Sequence, residues 1–133
     1  MERVYVDTCV FMDAILDRDS RSSRDLGTPA KSLFSQSAAC QFRIIVSEWT
    51  LKELYKNIHE EEAKELFSKI SHKIDYCEFS EKDVEQAKEI SDHWQDVLHG
   101  IIAEREDADS IVTRNLEDFR VLASVDAKLP SQI

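Results

Sequence analysis

The fold is decided by the stretch Arg3-Val4-Tyr5-Val6-Asp7-Thr8-Cys9-Val10-Phe11-Met12-Asp13. Its first part, Val4 to Val6, is a short run of β-branched and aromatic residues, which predicts a buried strand. The run stops at Asp7 and Thr8, after which apolar residues recur at helical spacing. In an open parallel α/β sheet, ligands bind where the carboxyl ends of strands meet the starts of helices. We therefore expect Asp7 at a ligand-binding edge.

The composition is typical of a globular protein. The chain has 133 residues, of which 42% are hydrophobic and 33% charged, and we expect residues 1–133 to form a single domain. No apolar run approaches the roughly 18 residues of a membrane span, and no signal-peptide pattern opens the sequence, so we expect a cytoplasmic protein. The three cysteines, Cys9, Cys40 and Cys77, are odd in number and far apart, which argues against a disulfide framework and a zinc knuckle.

The formal net charge of −10 argues mildly against a nucleic-acid binder. It does not exclude a metal-dependent nuclease, because cations held by carboxylates bring phosphate contacts with them. The two glycines, Gly27 and Gly100, are too few for a Gly-rich phosphate loop or a dinucleotide fingerprint.

Segments typical of strands alternate with segments typical of helices. Beyond the first strand, strands are predicted at 42–46, 73–77, 110–113 and 120–123, with a loop at 17–24. Helical periodicity occurs in segments between the first four strands. Thr28 and Pro29 are predicted as the cap and first position of the second helix, and 80–83 as a capping box. This alternation implies right-handed crossovers and a parallel sheet covered by helices on both faces.

Four acids fall where such a sheet would gather them. They are Asp7 after the first strand, Glu53 after the second, Asp96 opening the helix before the fourth, and Asp118 after the fourth. Mg²⁺ and Mn²⁺ take oxygen ligands of this kind together with substrate phosphate oxygens. Carboxylates packed together without a cation raise one another's pKa, so such a cluster indicates a site.

Each candidate also has a structural explanation. Asp7 and Glu53 have the positions of helix-capping residues. Asp96 can stabilise a helix dipole, and Asp118 can belong to a turn. His99, on an apolar helical face, is typical of a hydrogen-bonded core histidine.

Four blocks in order carry a resemblance that covers nearly the whole chain: VYVDTCVFMD (4–13), IIVSEWTLKEL (44–54), DVLHGIIA (96–103) and IVTRNLEDF (111–119). Together they resemble the PIN domain, especially the VapC-like ribonuclease toxins. The resemblance implies a three-layer α/β/α sandwich with a central parallel sheet of four to five strands. It also implies that Asp7, Glu53, Asp96 and Asp118 are both the catalytic residues and the metal ligands.

The chain departs from the family pattern at two positions. Asn115 stands where many members have an acid, and Cys9 replaces the asparagine that commonly follows Asp-Thr. An amide can coordinate or hold a water but brings no charge, which bears on a second metal position. Thr8 and Thr113 match small hydroxyl positions that are expected to orient acids or water.

The resemblance implies an endoribonuclease that uses Mg²⁺ or Mn²⁺ to hydrolyse single-stranded RNA. By the same analogy the chain is expected to form a homodimer and to be inhibited by an antitoxin protein that inserts an arginine-bearing segment into the acidic cleft. A catalytically weak or inactive PIN-like module that binds RNA or a protein is the alternative. A phosphotransfer enzyme with Asp7 as nucleophile is disfavoured, because Cys9 stands where a second acid is needed and no lysine follows Thr113.

Overall fold

The computed structural model describes residues 1–16, 25–39, 41–119 and 125–133; the side chain of Asp118 also lies outside the described part. Its strands and helices follow in the order β1 (Arg3–Val6), α1 (Thr8–Leu16), α2 (Gly27–Ala38), β2 (Arg43–Ser47), α3 (Glu48–Asn57), α4 (Glu60–Ile70), β3 (Ile74–Cys77), α5 (Glu81–Ile90), α6 (Trp94–Arg105), β4 (Ser110–Val112) and β5 (Asp126–Lys128). Short 3-10 helices lie at Ser71–Lys73, Leu116–Phe119 and Pro130–Gln132. Among these helices, none is both long and apolar enough to cross a membrane.

The five strands form one sheet in the order β3-β2-β1-β4-β5, and every neighbouring pair is parallel. This confirms the predicted α/β fold with a parallel sheet, and β3 lies at one edge of that sheet. β1 is central, so the carboxyl ends of β2 and β4 lie on either side of its own. The fold thus brings three strand ends together at one place.

Helices cover both faces of the sheet because the residues of each inner strand alternate between two cores. Val4 and Val6 face the core formed with α1, α2 and α4, whereas Tyr5 faces the core formed with α5 and α6. All three side chains are fully buried. A side chain of this size stabilises the fold by about 1.5–3 kcal/mol when it leaves water.

Several predicted boundaries shift. α2 begins at Gly27, so the prediction of Thr28 as the cap was wrong: the backbone N–H of Thr28 donates to Asp25 Oδ1 at 3.0 Å. The carboxylate of Asp25 therefore satisfies a backbone N–H that has no hydrogen-bond partner within the helix. The capping box that begins at Ser80 is confirmed. The predicted loop at 17–24 and strand at 120–123 lie outside the described residues, and the fifth strand of the sheet is Asp126–Lys128.

Candidate metal centre

Asp7 lies at the carboxyl end of β1 and is 5% exposed. Its backbone N–H donates to Val112 of β4 at 2.9 Å, which continues the parallel ladder by one residue. Its Oδ2 accepts from Thr113 Oγ1 at 2.9 Å and from Cys9 Sγ at 3.3 Å. One carboxylate oxygen is thus fixed from two sides, and the other, Oδ1, lies 3.6 Å from His99 Nε2.

Glu53 lies in the middle of α3 and is half-buried. Its Oε1 accepts from Thr8 Oγ1 at 2.8 Å and lies 2.5 Å from His99 Nε2. Helix capping does not explain it, because the N-cap of α3 is Ser47, whose hydroxyl accepts from the N–H of Thr50 at 3.1 Å. Glu53 instead contacts groups from α1 and α6.

His99 is fully buried in α6, as expected of a core histidine, and it is hydrogen-bonded on both ring nitrogens. Nδ1 lies 2.6 Å from the Tyr5 hydroxyl, which in turn lies 2.7 Å from Ser47 Oγ. Nε2 faces the carboxylates of Glu53 and Asp7. The sequence interpretation therefore described its burial correctly and missed its place in the site. Its spacing of three residues from Asp96, which puts both on one helical face, is the signal that was available.

Electrostatics in the cluster favour charged forms. Burial lowers the pKa of His99, but the hydrogen bond to Glu53 and the negative charges of Asp7, Glu53 and Asp96 outweigh it, so this pKa is raised. Burial raises the pKa of Glu53, but its bonds to His99 and Thr8 outweigh that effect and the pKa is lowered. Burial strongly raises the pKa of Tyr5, which keeps its phenol protonated.

The other predicted residues surround this cluster. Asp96 lies in the first turn of α6, two residues after the helix start, and its charge acts on His99. Asn115 is exposed, and its backbone N–H donates to Thr113 Oγ1 at 3.0 Å. The hydroxyl of Thr113 therefore accepts one hydrogen bond from Asn115 and donates another to Asp7. Asp118 lies in the 3-10 helix Leu116–Phe119 just after β4.

Asp7, Glu53 and His99 each offer one ligand atom, and these atoms all lie within 4.8 Å of one another. Two carboxylates from different elements match the oxygen preference of Mg²⁺ and Mn²⁺, and imidazole nitrogen also binds transition metals. The residues present therefore fit a divalent cation. Because His99 Nε2 already contacts Glu53, it also suits the role of a group that orients a ligand.

Comparisons with known proteins agree with this architecture. The family model described as "PIN domain" matches residues 3–117. Among solved structures, the chain is similar to the crystal structure of VapBC2 from Rickettsia felis bound to a DNA fragment from the VapBC2 promoter. The TM-score is 0.62 and the sequence identity is 17%, and the match covers 96% of this chain and 98% of that chain. A search of curated proteins found no match. Since the family model spans most of its length, the chain belongs to the PIN domain family.

Proposed function

We propose that this chain is a metal-dependent endoribonuclease that hydrolyses phosphodiester bonds in single-stranded RNA. The observation that carries the proposal is the meeting of Asp7 and Glu53, from separate elements, beside His99 at the carboxyl ends of the central strands. PIN domains are generally nucleases, and carboxylates held this close suit a cation that binds phosphate. The family and the geometry therefore support the same chemistry.

Asp7, Glu53, Asp96 and Asp118 are the residues we propose to hold Mg²⁺ or Mn²⁺ and to be catalytic. A bound cation of this kind supplies a water of lowered pKa and stabilises charge that develops on the phosphate. We propose that Asn115 helps to complete the site or to order water.

The chain's own contribution is to hold these carboxylates in place before substrate arrives. Thr113 and Cys9 fix one oxygen of Asp7. Thr8 and His99 fix one oxygen of Glu53. Because their partners are largely buried, the acids do not need to reorganise as charge develops, which is how such sites stabilise a transition state.

The same proposal extends to partners. The Rickettsia felis structure contains VapBC2 with promoter DNA, and we propose that this chain is likewise the toxin of a toxin–antitoxin pair. It would then be inhibited by an antitoxin protein and form a homodimer in the cytoplasm. Co-expression with the product of the neighbouring reading frame, followed by size-exclusion chromatography, tests this part separately from the chemistry.

Cleavage of a panel of single-stranded RNAs in Mn²⁺ tests the ribonuclease. We expect wild type to cleave and Asp7→Asn to lose at least about 100-fold in rate, since each such group supplies several kcal/mol to the transition state. Asp92→Asn, an exposed acid just before α6, is the matched control and should cleave like wild type. Equal cleavage by Asp7→Asn, or no cleavage by wild type in any metal, contradicts the proposal.

A PIN-like module that binds RNA or a protein without turnover is the second candidate. It is favoured by Asn115, an exposed amide in place of an acid. A thermal shift in Mn²⁺ without RNA cleavage would support this candidate over the nuclease.

A further inference from the structure

Three aromatic rings form a continuous cluster beside the metal centre. Trp49 of α3 lies 5.4 Å from Trp94, the first residue of α6, and 5.8 Å from Phe79, which precedes α5, measured between ring centroids. Trp49 is 8% exposed and forms the floor, whereas Trp94 and Phe79 are half-buried. We call these three residues the aromatic ledge.

A lysine lies over each ring of the aromatic ledge. Lys52 Nζ lies 5.1 Å from the ring centroid of Phe79. Lys56 Nζ lies 5.9 Å from that of Trp49, and Lys88 Nζ lies 5.0 Å from that of Trp94. All three lysines are exposed. Three ammonium groups thus lie at the aromatic ledge of a chain whose net charge is −10. Lysine stems are flexible, so an ammonium group can turn from a ring to a phosphate and free the aromatic face.

The aromatic ledge is continuous with the metal centre. Trp49, Lys52, Glu53 and Lys56 are spaced i, i+3, i+4, i+7 and so share one face of α3. The ring of Trp49 lies 6.3 Å from that of His99. Its Nε1 also donates to the carbonyl of Gln95 at 3.2 Å, next to Asp96. A strand of nucleotides can therefore extend from the centre onto the rings.

We propose that the aromatic ledge and its three lysines bind the single-stranded RNA substrate on one side of the cleaved bond. Bases stack on Trp94 and Phe79 while the lysines contact backbone phosphates, a combination that binds single strands with little sequence preference. An acidic peptide would use the lysines but not the flat aromatic faces, so RNA fits more of the surface. The choice of RNA rests on the proposed ribonuclease function.

The lysines are tested by RNA binding in the Asp7→Asn background, so that cleavage does not interfere. Fluorescence anisotropy of a labelled RNA of about 12 nucleotides, spanning a site of the usual 4–16, is measured in Mn²⁺ at several KCl concentrations. The ledge variant Lys52→Gln/Lys56→Gln/Lys88→Gln is compared with Lys31→Gln/Lys64→Gln/Lys69→Gln on α2 and α4, which cover the other face of the sheet.

Both triple variants change the net charge equally. We expect the ledge variant to bind at least about tenfold more weakly and its slope of log K against log salt to fall by about 2, since each neutralised single-strand phosphate contributes about 0.7. The α2/α4 variant should stay within about twofold of the parent. Equal losses in both, or none in either, overturn the inference. Unchanged RNA affinity with weaker binding of a polyglutamate peptide would assign the surface to an acidic protein segment and also overturn it.

Stacking is tested by Trp94→Leu and Trp94→Phe, which both keep an apolar side chain at the start of α6. Loss of one stacked base corresponds to about a tenfold loss of affinity, which we expect for Trp94→Leu, with most of the affinity kept in Trp94→Phe. Identical affinities for the two variants overturn the stacking role. If wild type failed to cleave RNA, that result would contradict the proposed ribonuclease function but not the RNA-binding role of the aromatic ledge, because these experiments measure binding and not cleavage.

Discussion

Nε2 of His99 lies 2.5 Å from Oε1 of Glu53, at the point where α6 faces α3. The same nitrogen lies 3.6 Å from Oδ1 of Asp7. On the other side of the ring, Nδ1 contacts the hydroxyl of Tyr5, which is held by Ser47. One imidazole thus links the two carboxylates of the candidate metal centre to a hydrogen-bond network between the sheet and the helices α3 and α6.

Tyr5→Phe should weaken both the fold and cation binding at the candidate metal centre. The change removes the partner of His99 Nδ1 and leaves a fully buried polar atom unpaired, which costs about 1–3 kcal/mol of unfolding free energy. Because His99 then loses its orientation toward Glu53, Mn²⁺ affinity should fall about 10- to 100-fold. Urea unfolding and isothermal titration calorimetry measure the two effects.

Tyr55→Phe is the control, since Tyr55 is 37% exposed on α3. It should change neither quantity by a measurable amount. A Tyr5→Phe protein that binds Mn²⁺ as tightly as wild type would show that Tyr5 has no part in orienting His99.

Without metal, the stability of the protein should depend on pH through the pair of His99 and Glu53. The pKa of His99 is raised from 6.5, so its stabilising contribution is complete below about pH 6.5 and is lost as the pH rises through the raised value. The pKa of Glu53 is lowered from 4.5, so its contribution is present above that pH and is lost on acidification. The two together give a maximum between about pH 4.5 and 6.5.

Urea unfolding in EDTA between about pH 5 and 9 measures the part of this dependence that His99 causes. In His99→Gln the decline above pH 6.5 should disappear, whereas His72→Gln, an exposed residue after α4, should keep it. A decline of the same size in His99→Gln would assign it to another group.

The fold was predictable because its signals are local. The continuous apolar run Val4-Tyr5-Val6 is typical of a strand that is buried on both faces. Repeated strand-helix units leave few topologies other than a parallel sheet. The cap of α2 was predicted wrongly because several residues near Thr28 can satisfy the same orphan N–H groups, and the choice of Asp25 depends on how the chain enters the helix. That residues 1–133 form one domain stays a prediction.

The site was predictable only where strand ends dictate it. Asp7 could be placed from β1 alone, because the ends of parallel strands lie at one edge. The contacts of His99 depend on how α6 packs over Tyr5. The spacing of apolar residues in the sequence does not encode that packing, so it could not distinguish a helical face that only packs in the core from one that also contributes to a site. The ligand roles of Asp7, Glu53, Asp96 and Asp118 all remain predictions.

Asp96 should contribute to cation binding. Its charge reaches His99 from the first turn of α6, so Asp96→Asn should reduce the rise in melting temperature produced by Mn²⁺. If Mn²⁺ affinity falls tenfold, the stabilisation at saturating metal falls by about 1.4 kcal/mol. Asp92→Asn, an exposed neighbour, should leave the shift unchanged, and equal shifts in the two variants would remove Asp96 from the ligand set.

Cys9 should react slowly although it lies beside the centre. Burial, together with the charge of Asp7, raises the pKa of the Cys9 thiol from 9.0 to about 12, so the reactive thiolate is about a thousandfold rarer near pH 8. Iodoacetamide labelling followed by peptide mass spectrometry should show slow modification in the native state and rapid modification in urea. Asp7→Asn should speed native labelling, and labelling of Cys9 at the unfolded rate in native wild type would contradict this picture.

Arg114 should fix the segment after β4 to α1. Its Nε lies 3.0 Å from Oδ2 of Asp13, which is 1% exposed, while the arginine side chain is 29% exposed. Because one partner is buried and the other reaches water, we expect a coupling of about 1–3 kcal/mol, below that of a fully buried pair. A double-mutant cycle with Asp13→Asn and Arg114→Met in urea measures it, and additive effects would show that the pair does not stabilise the fold.

Asn115 directly follows Arg114 in the sequence. If that segment completes the candidate metal centre, Arg114→Met should also weaken Mn²⁺ binding, whereas the control Lys128→Met on β5 should not.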